Sequence, residues 1–168
     1  MLKHFPGARR CQPQHRLPHR VHPASVQAAQ TVALPPFVAG IRAGAPAIMV
    51  SNAIVPGLTR LPASLAPAAI RRELVGTLHF GGLILTDSLS AGAIAQAGFH
   101  LPRAAVQAIR AGADMIMYNA ATAAGTLRRF DHIVSAEMSA VTAGTLARSR
   151  LVAAARAALA ARHVAACR

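Results

Sequence analysis

The chain has no tryptophan, one tyrosine and only five acidic side chains, Glu73, Asp87, Asp114, Asp131 and Glu137. So few aromatic residues cannot build the stacking surface that single-stranded nucleic acid needs. The net charge of +13 invites that reading, but the arginines are scattered along the chain, and a nucleic-acid partner is not expected. Lysine is nearly absent too: Lys3 is the only one, and the other 17 basic side chains are arginine. Two cysteines, Cys11 and Cys167, do not make a disulfide framework. Arg42 and Arg156 interrupt the apolar stretches within less than a bilayer's span, which excludes a membrane-crossing helix. Met1 is followed at once by Lys3, His4 and Pro6, which is no signal peptide, so the cytoplasm is the default expectation. Cys11, His15, His19 and His22 lie close together. The prolines among them deny a rigid helix, and no second cysteine is near, so no metal site is expected. No cofactor is expected either, and nothing in the sequence bears on oligomeric state.

What the sequence does have is a run of 168 residues, 54% hydrophobic, enough for one domain with a sizeable core. The exception is residues 8–32, an irregular basic segment of Arg, His, Pro and Gln with too few apolar side chains to fold around. From Ala33 onward, apolar strands alternate with helices. The patterns predict a helix over Pro36–Ala43, a strand over Ala47–Ser51, and a helix from Pro67 to Leu74 with Ser64 as its N-cap. A strand follows at Leu83–Thr86, entered through Gly81 and Gly82. Next come a helix over Arg103–Ala111 closed by Gly112 and a strand over Asp114–Tyr118. Two more helices are expected, at Ala123–Val141 and Leu146–Val164.

Continuous apolar strands between helices imply a parallel sheet covered by helices. In such sheets chemistry sits beyond the carboxyl ends of the strands. Asn52, Asp87 and Tyr118 or Asn119 fall there. Asp87 is the only acid among them, since Asp114 lies at the opposite end of its strand and the other three lie on helices. Two readings of Asp87 stand side by side. It can cap the helix that holds Ala91–Ala95, or it can be a catalytic carboxylate aimed into a pocket.

Five segments in order, KHFPG (3–7), AIMVSNAIVPGL (47–58), LPASLAPAAIRREL (61–74), GGLILTDSLSAGAI (81–94) and AAVQAIRAGADMIM (104–117), resemble glycoside hydrolase family 3, in particular its β-N-acetylhexosaminidase branch. The resemblance covers nearly all of the chain outside residues 8–32. It implies a TIM-type (β/α)8 barrel and a retaining glycosidase that acts on β-linked N-acetylglucosamine-type sugars through a glycosyl-enzyme intermediate. It maps the nucleophile onto Asp87 and sugar contacts onto Lys3 and His4. Asn52 stands where relatives often carry His facing the same pocket, and is taken as a further substrate-binding residue. A carboxylate nucleophile must sit below the anomeric carbon, and a strand-end Asp can do so.

Retaining hydrolysis also needs a proton donor. The branch uses a His paired with an Asp in a loop directly after KHFPG. Here Ala8, Arg9 and Arg10 follow instead. Shifted by one base, codons compatible with Ala8–Arg20 can read His-Gly-Asp and then Thr-Asp-Ser-His. Residues 8–32 are therefore expected to be a frame-shifted translation of the acid/base loop. The resemblance places KHFPG just after the fifth barrel strand. The expected fold is thus α/β, the C-terminal portion of a barrel with three to four parallel βα units. Residues 1–7 would be a remnant of the catalytic-loop motif, and residues 33–168 a partial, incomplete barrel of impaired activity. The alternative is an inactive remnant or a basic interaction fragment without catalysis.

Overall fold

The computed structural model describes residues 1–7 and 33–162. Everything expected of residues 8–32, the acid/base loop and the Cys11 and His15 cluster included, lies outside them.

The core element is a parallel sheet of four strands in the order β1-β2-β3-β4. They are β1 (Leu2–Phe5), β2 (Ala47–Val50), β3 (Leu83–Ser88) and β4 (Met115–Met117). The helices are α1 (Pro35–Arg42), α2 (Ala68–Thr77, wound with wide π-type turns), α3 (Gly92–Gln96), α4 (Leu101–Ala111), α5 (Ala123–Thr142) and α6 (Arg148–Ala160). Sequence neighbours are sheet neighbours throughout, and every strand-to-strand connection passes through helix, as a βα barrel demands. The sheet does not close: among the described residues, β1 and β4 each have one strand neighbour. It is an open portion of a barrel, four strands of the eight that closure takes.

The three expected strands are present, parallel and adjacent in the expected order. The fourth strand keeps the sheet within the three to four units expected, but it forms at the KHFPG segment, which the resemblance places in a loop. Leu2, Lys3 and Phe5 pair instead with Ile48, Met49 and Val50. Phe5 is fully buried and meets Phe37 of α1 edge-to-face, with ring centroids 5.3 Å apart, so the aromatic anchors this short strand to its helix.

Alternation along the strands assigns the two faces. Ile48, Val50 and Ile84 belong to the main core beneath the helices, with Ile116 packed against it. Thr86, fully buried, shares that face, and its hydroxyl oxygen accepts from the Met117 N–H. Met49, Leu85, Met115 and Met117 alternate with these and stand on the opposite, concave face. Helix α4 supplies Ala104, Ala105, Ala108 and Ala111 to the core, small residues that let the helix lie close on the sheet.

Two sequence expectations about caps part ways here. Gly112 closes α4 as expected, in the left-handed region at φ 119°, with its N–H on the Ala108 and Ile109 carbonyls. Ser64 does not cap α2. It is fully buried in a single 3-10 turn, Ala63–Leu65, while α2 begins after Pro67 with no side-chain cap. The proline already fixes a helical φ at that start, and the Ser64 hydroxyl is committed elsewhere.

Candidate active site

The carboxyl ends of β2 and β3 form one edge, and the sequence brings Asn52 and Asp87 to it. Strand β3 runs two residues further than its apolar run, so Asp87 lies within the strand rather than after it. The extension is held by pairing: Ser88 lies opposite Met117, and the Leu89 N–H donates to the Met117 carbonyl at 2.8 Å. Asp87 falls at the irregular step of the β3–β4 pairing, between Leu85 opposite Met115 and Ser88 opposite Met117. One oxygen, Oδ1, accepts from the Ser88 N–H at 2.7 Å. The carboxylate is half-buried and has no ion-pair partner among the described residues.

The capping alternative does not survive. Helix α3 starts after Ala91, and no side chain bonds to its first turn.

Asn52 is buried, 7% exposed, and both ends of its carboxamide are engaged. Nδ2 donates to the Ser88 carbonyl at 2.7 Å, and Oδ1 accepts from the Ser64 hydroxyl at 2.6 Å. Ser64 is the residue that the helix-capping pattern misassigned, and no sequence signal tied it to Asn52. Lys3 and His4 are both exposed on β1. Lys3 pairs with Met49 on the concave face, and Asp87 lies on β3. Strand β2 lies between them, which puts the two backbones roughly 10–12 Å apart at ordinary strand spacing.

Beyond β4, Tyr118 donates its hydroxyl to the Thr126 carbonyl. Arg129 of α5 donates to both the Asn119 carbonyl and the Ser90 hydroxyl, so the segments after β3 and β4 are tied together. This arginine was not singled out from the sequence. A cleft of about 350 Å³ opens beside it, between Ser90, Leu101 and His132, but Asp87, Lys3, His4 and Asn52 do not line it.

The remaining acids lie elsewhere, as the sequence implied. Asp114 sits at the amino-terminal edge, bonded to Arg150 at 2.6 Å and accepting from the Ile84 N–H. Glu73, Asp131 and Glu137 are on helices. Among the described residues no cluster of three or more His, Cys, Asp or Glu side chains could hold a metal ion, and no helix is long and apolar enough to cross a membrane.

One carboxylate at the carboxyl ends of a helix-backed parallel sheet defines the class: an α/β protein that carries part of a (β/α)8 barrel. The Glycosyl hydrolase family 3 N terminal domain matches over residues 1–160, and the chain belongs to that family. It is 37% identical over 100 residues to a β-hexosaminidase of Xanthomonas oryzae pv. oryzae, covering 56% of this chain and 30% of that protein. A family 3 β-N-acetylglucosaminidase of Paenibacillus sp. FPU-7 superposes with a TM-score of 0.72 at 27% identity, over 82% of this chain and 25% of that one. The β-N-acetylhexosaminidase of Beutenbergia cavernae does so with a TM-score of 0.67 at 29% identity, over 79% of this chain and 38% of that one. The chain thus spans about a third of the length of its relatives.

Proposed function

We propose that this chain carries the nucleophile side of a retaining, β-N-acetylhexosaminidase-like glycosidase site, with Asp87 as nucleophile and Lys3 and His4 as sugar contacts. The observation that carries this reading is the isolation of Asp87. It alone among the five acids stands at the carboxyl edge of the sheet, with one oxygen oriented by a backbone N–H.

In the proposed step the free oxygen of the Asp87 carboxylate attacks the anomeric carbon. A C–O ester bond forms as the bond to the leaving oxygen breaks, and that oxygen takes a proton from a general acid. Water then cleaves the ester and regenerates the carboxylate. No second carboxylate on the described edge can give the proton. The reaction therefore depends on how good the leaving group is, because general acid catalysis is typically worth about 10²–10⁴-fold and matters most for poor leaving groups. The chain alone is expected to leave an alkyl N-acetyl-β-glucosaminide untouched and to show at most a trace of turnover on a nitrophenyl one. That trace disappears in Asp87→Asn, which keeps the shape and removes the nucleophile. Robust turnover of the alkyl glycoside, or nitrophenyl release that survives Asp87→Asn, contradicts the assignment.

A further inference from the structure

Four groups around Asp87 form a directed set of hydrogen bonds. The Ser64 hydroxyl donates to Asn52 Oδ1, Asn52 Nδ2 donates to the Ser88 carbonyl, and the Ser88 N–H donates to Asp87 Oδ1. Ser88 is thus held from both sides of its Cα: its carbonyl by β2's end, its N–H by the carboxylate. The next N–H, that of Leu89, is fixed on Met117 of β4. Ser64 is fully buried and Asn52 nearly so, and neither carboxamide end is left without a partner.

We infer that Asn52 and Ser64 are a positioning pair for the Asp87 carboxylate, acting through the Ser88 backbone, and that Asn52 does not serve as a sugar contact. The inference rests on the reading of Asp87 as nucleophile and specifies how that carboxylate is aimed. An unrestrained Asp has two free side-chain torsions, and a nucleophile misplaced by about 1 Å can lose 10²-fold in rate. Holding the Ser88 carbonyl and the Leu89 N–H pins the peptide plane just after Ser88 and so restricts the swing of the Ser88 N–H that selects one carboxylate orientation. The asparagine suits the task because one planar group offers a donor to Ser88 and an acceptor to Ser64 at once. Threading the contact through β2 also makes the orientation depend on the β2–β3 register, in which Val50 lies opposite Thr86.

The test reads backbone amides of the intact 168-residue chain by NMR, and needs no turnover. In the parent, the Ser88 amide, bonded to the Asp87 carboxylate, exchanges slowly with solvent. In Asn52→Ala the Ser88 and Leu89 amides both exchange at least tenfold faster, while Ala108 in α4 is unchanged. Ser64→Ala, which removes a single hydroxyl, gives a smaller change in the same direction at the same residues and guards against a folding failure in the first variant. Unchanged Ser88 and Leu89 signals in both variants overturn the inference. So does a loosening shared equally by Ala108, which would mark Asn52 as a general core residue. Failure of Asp87 as nucleophile would show instead in nitrophenyl release that survives Asp87→Asn, with the amide results intact.

Discussion

Single residues carry most of what distinguishes this chain, because it has so few charges of one sign to spend. Asp114 and Arg150 are the clearest case. The guanidinium reaches the Asp114 carboxylate and, with its other bonds, the carbonyls of Ile109, Gly112 and Ala113. It therefore ties α6 to the turn between α4 and β4, far from the functional edge. Arg150→Ala strips the Asp114 carboxylate of its ion pair, leaving it only the Ile84 N–H, and removes the donor to the Gly112 and Ala113 carbonyls; it should cost about 3 kcal/mol in chemical denaturation. Glu137 on α5 behaves differently. Burial raises its pKa above the ordinary 4.5. A group raised in the folded state binds its proton more tightly there, so its contribution is favourable at acid pH and is lost as pH rises from the unfolded value through the raised folded one. Glu137→Gln is expected to raise the melting temperature at pH 7 and to leave it unchanged at pH 4. An equal shift at both pH values would show that desolvation is not the cause.

At the scale of elements, the legibility of the sequence depended on whether apolar periodicity or pairing set the boundary. Strand Leu83–Ser88 was readable at its start, where glycines precede the apolar run, but not at its end. Thr86, Asp87 and Ser88 are polar, and only their partners on β2 and β4 keep them extended. Strand β1 was missed for the same reason: Lys3 and His4 look like loop residues, and pairing with a strand forty-six positions on, Lys3 opposite Met49, makes this segment a strand. Asp87 could be singled out because a lone acid after an apolar run is conspicuous. The Ser64–Asn52–Ser88 link could not, since nothing local in the sequence couples those positions. The helix end at Gly112 was legible, and it yields a prediction. A Cβ there would lie 2.9 Å from Ile70 Cγ2 and 3.1 Å from Arg71 Cγ, at a φ that side chains rarely adopt. Gly112→Ala should destabilise by at least about 1–2 kcal/mol, the cost of the left-handed conformation alone. Equal midpoints in urea would contradict this account of the turn.

For the molecule as a whole, the open sheet and its helices leave apolar surface that the described residues do not cover. Leu85, Met115 and Met117 are only half-buried on the concave face. Leu127, Phe130, Val134 and Met138 form an exposed stripe along α5 at helical spacing. In a closed eight-stranded barrel the concave face is filled by side chains from all around the ring. On the proposed reading the described residues hold one wall of a pocket, the wall with Asp87, and turnover requires the rest of the ring opposite. The most direct measurement joins residues 33–168 to the part of the Xanthomonas oryzae β-hexosaminidase that precedes its match to this chain. Turnover of a nitrophenyl N-acetyl-β-glucosaminide is then followed, and the trapped intermediate is located by mass spectrometry. The account predicts turnover, a glycosyl ester on Asp87, and loss of both in Asp87→Asn. An ester on any other residue, or turnover that persists in Asp87→Asn, would contradict it.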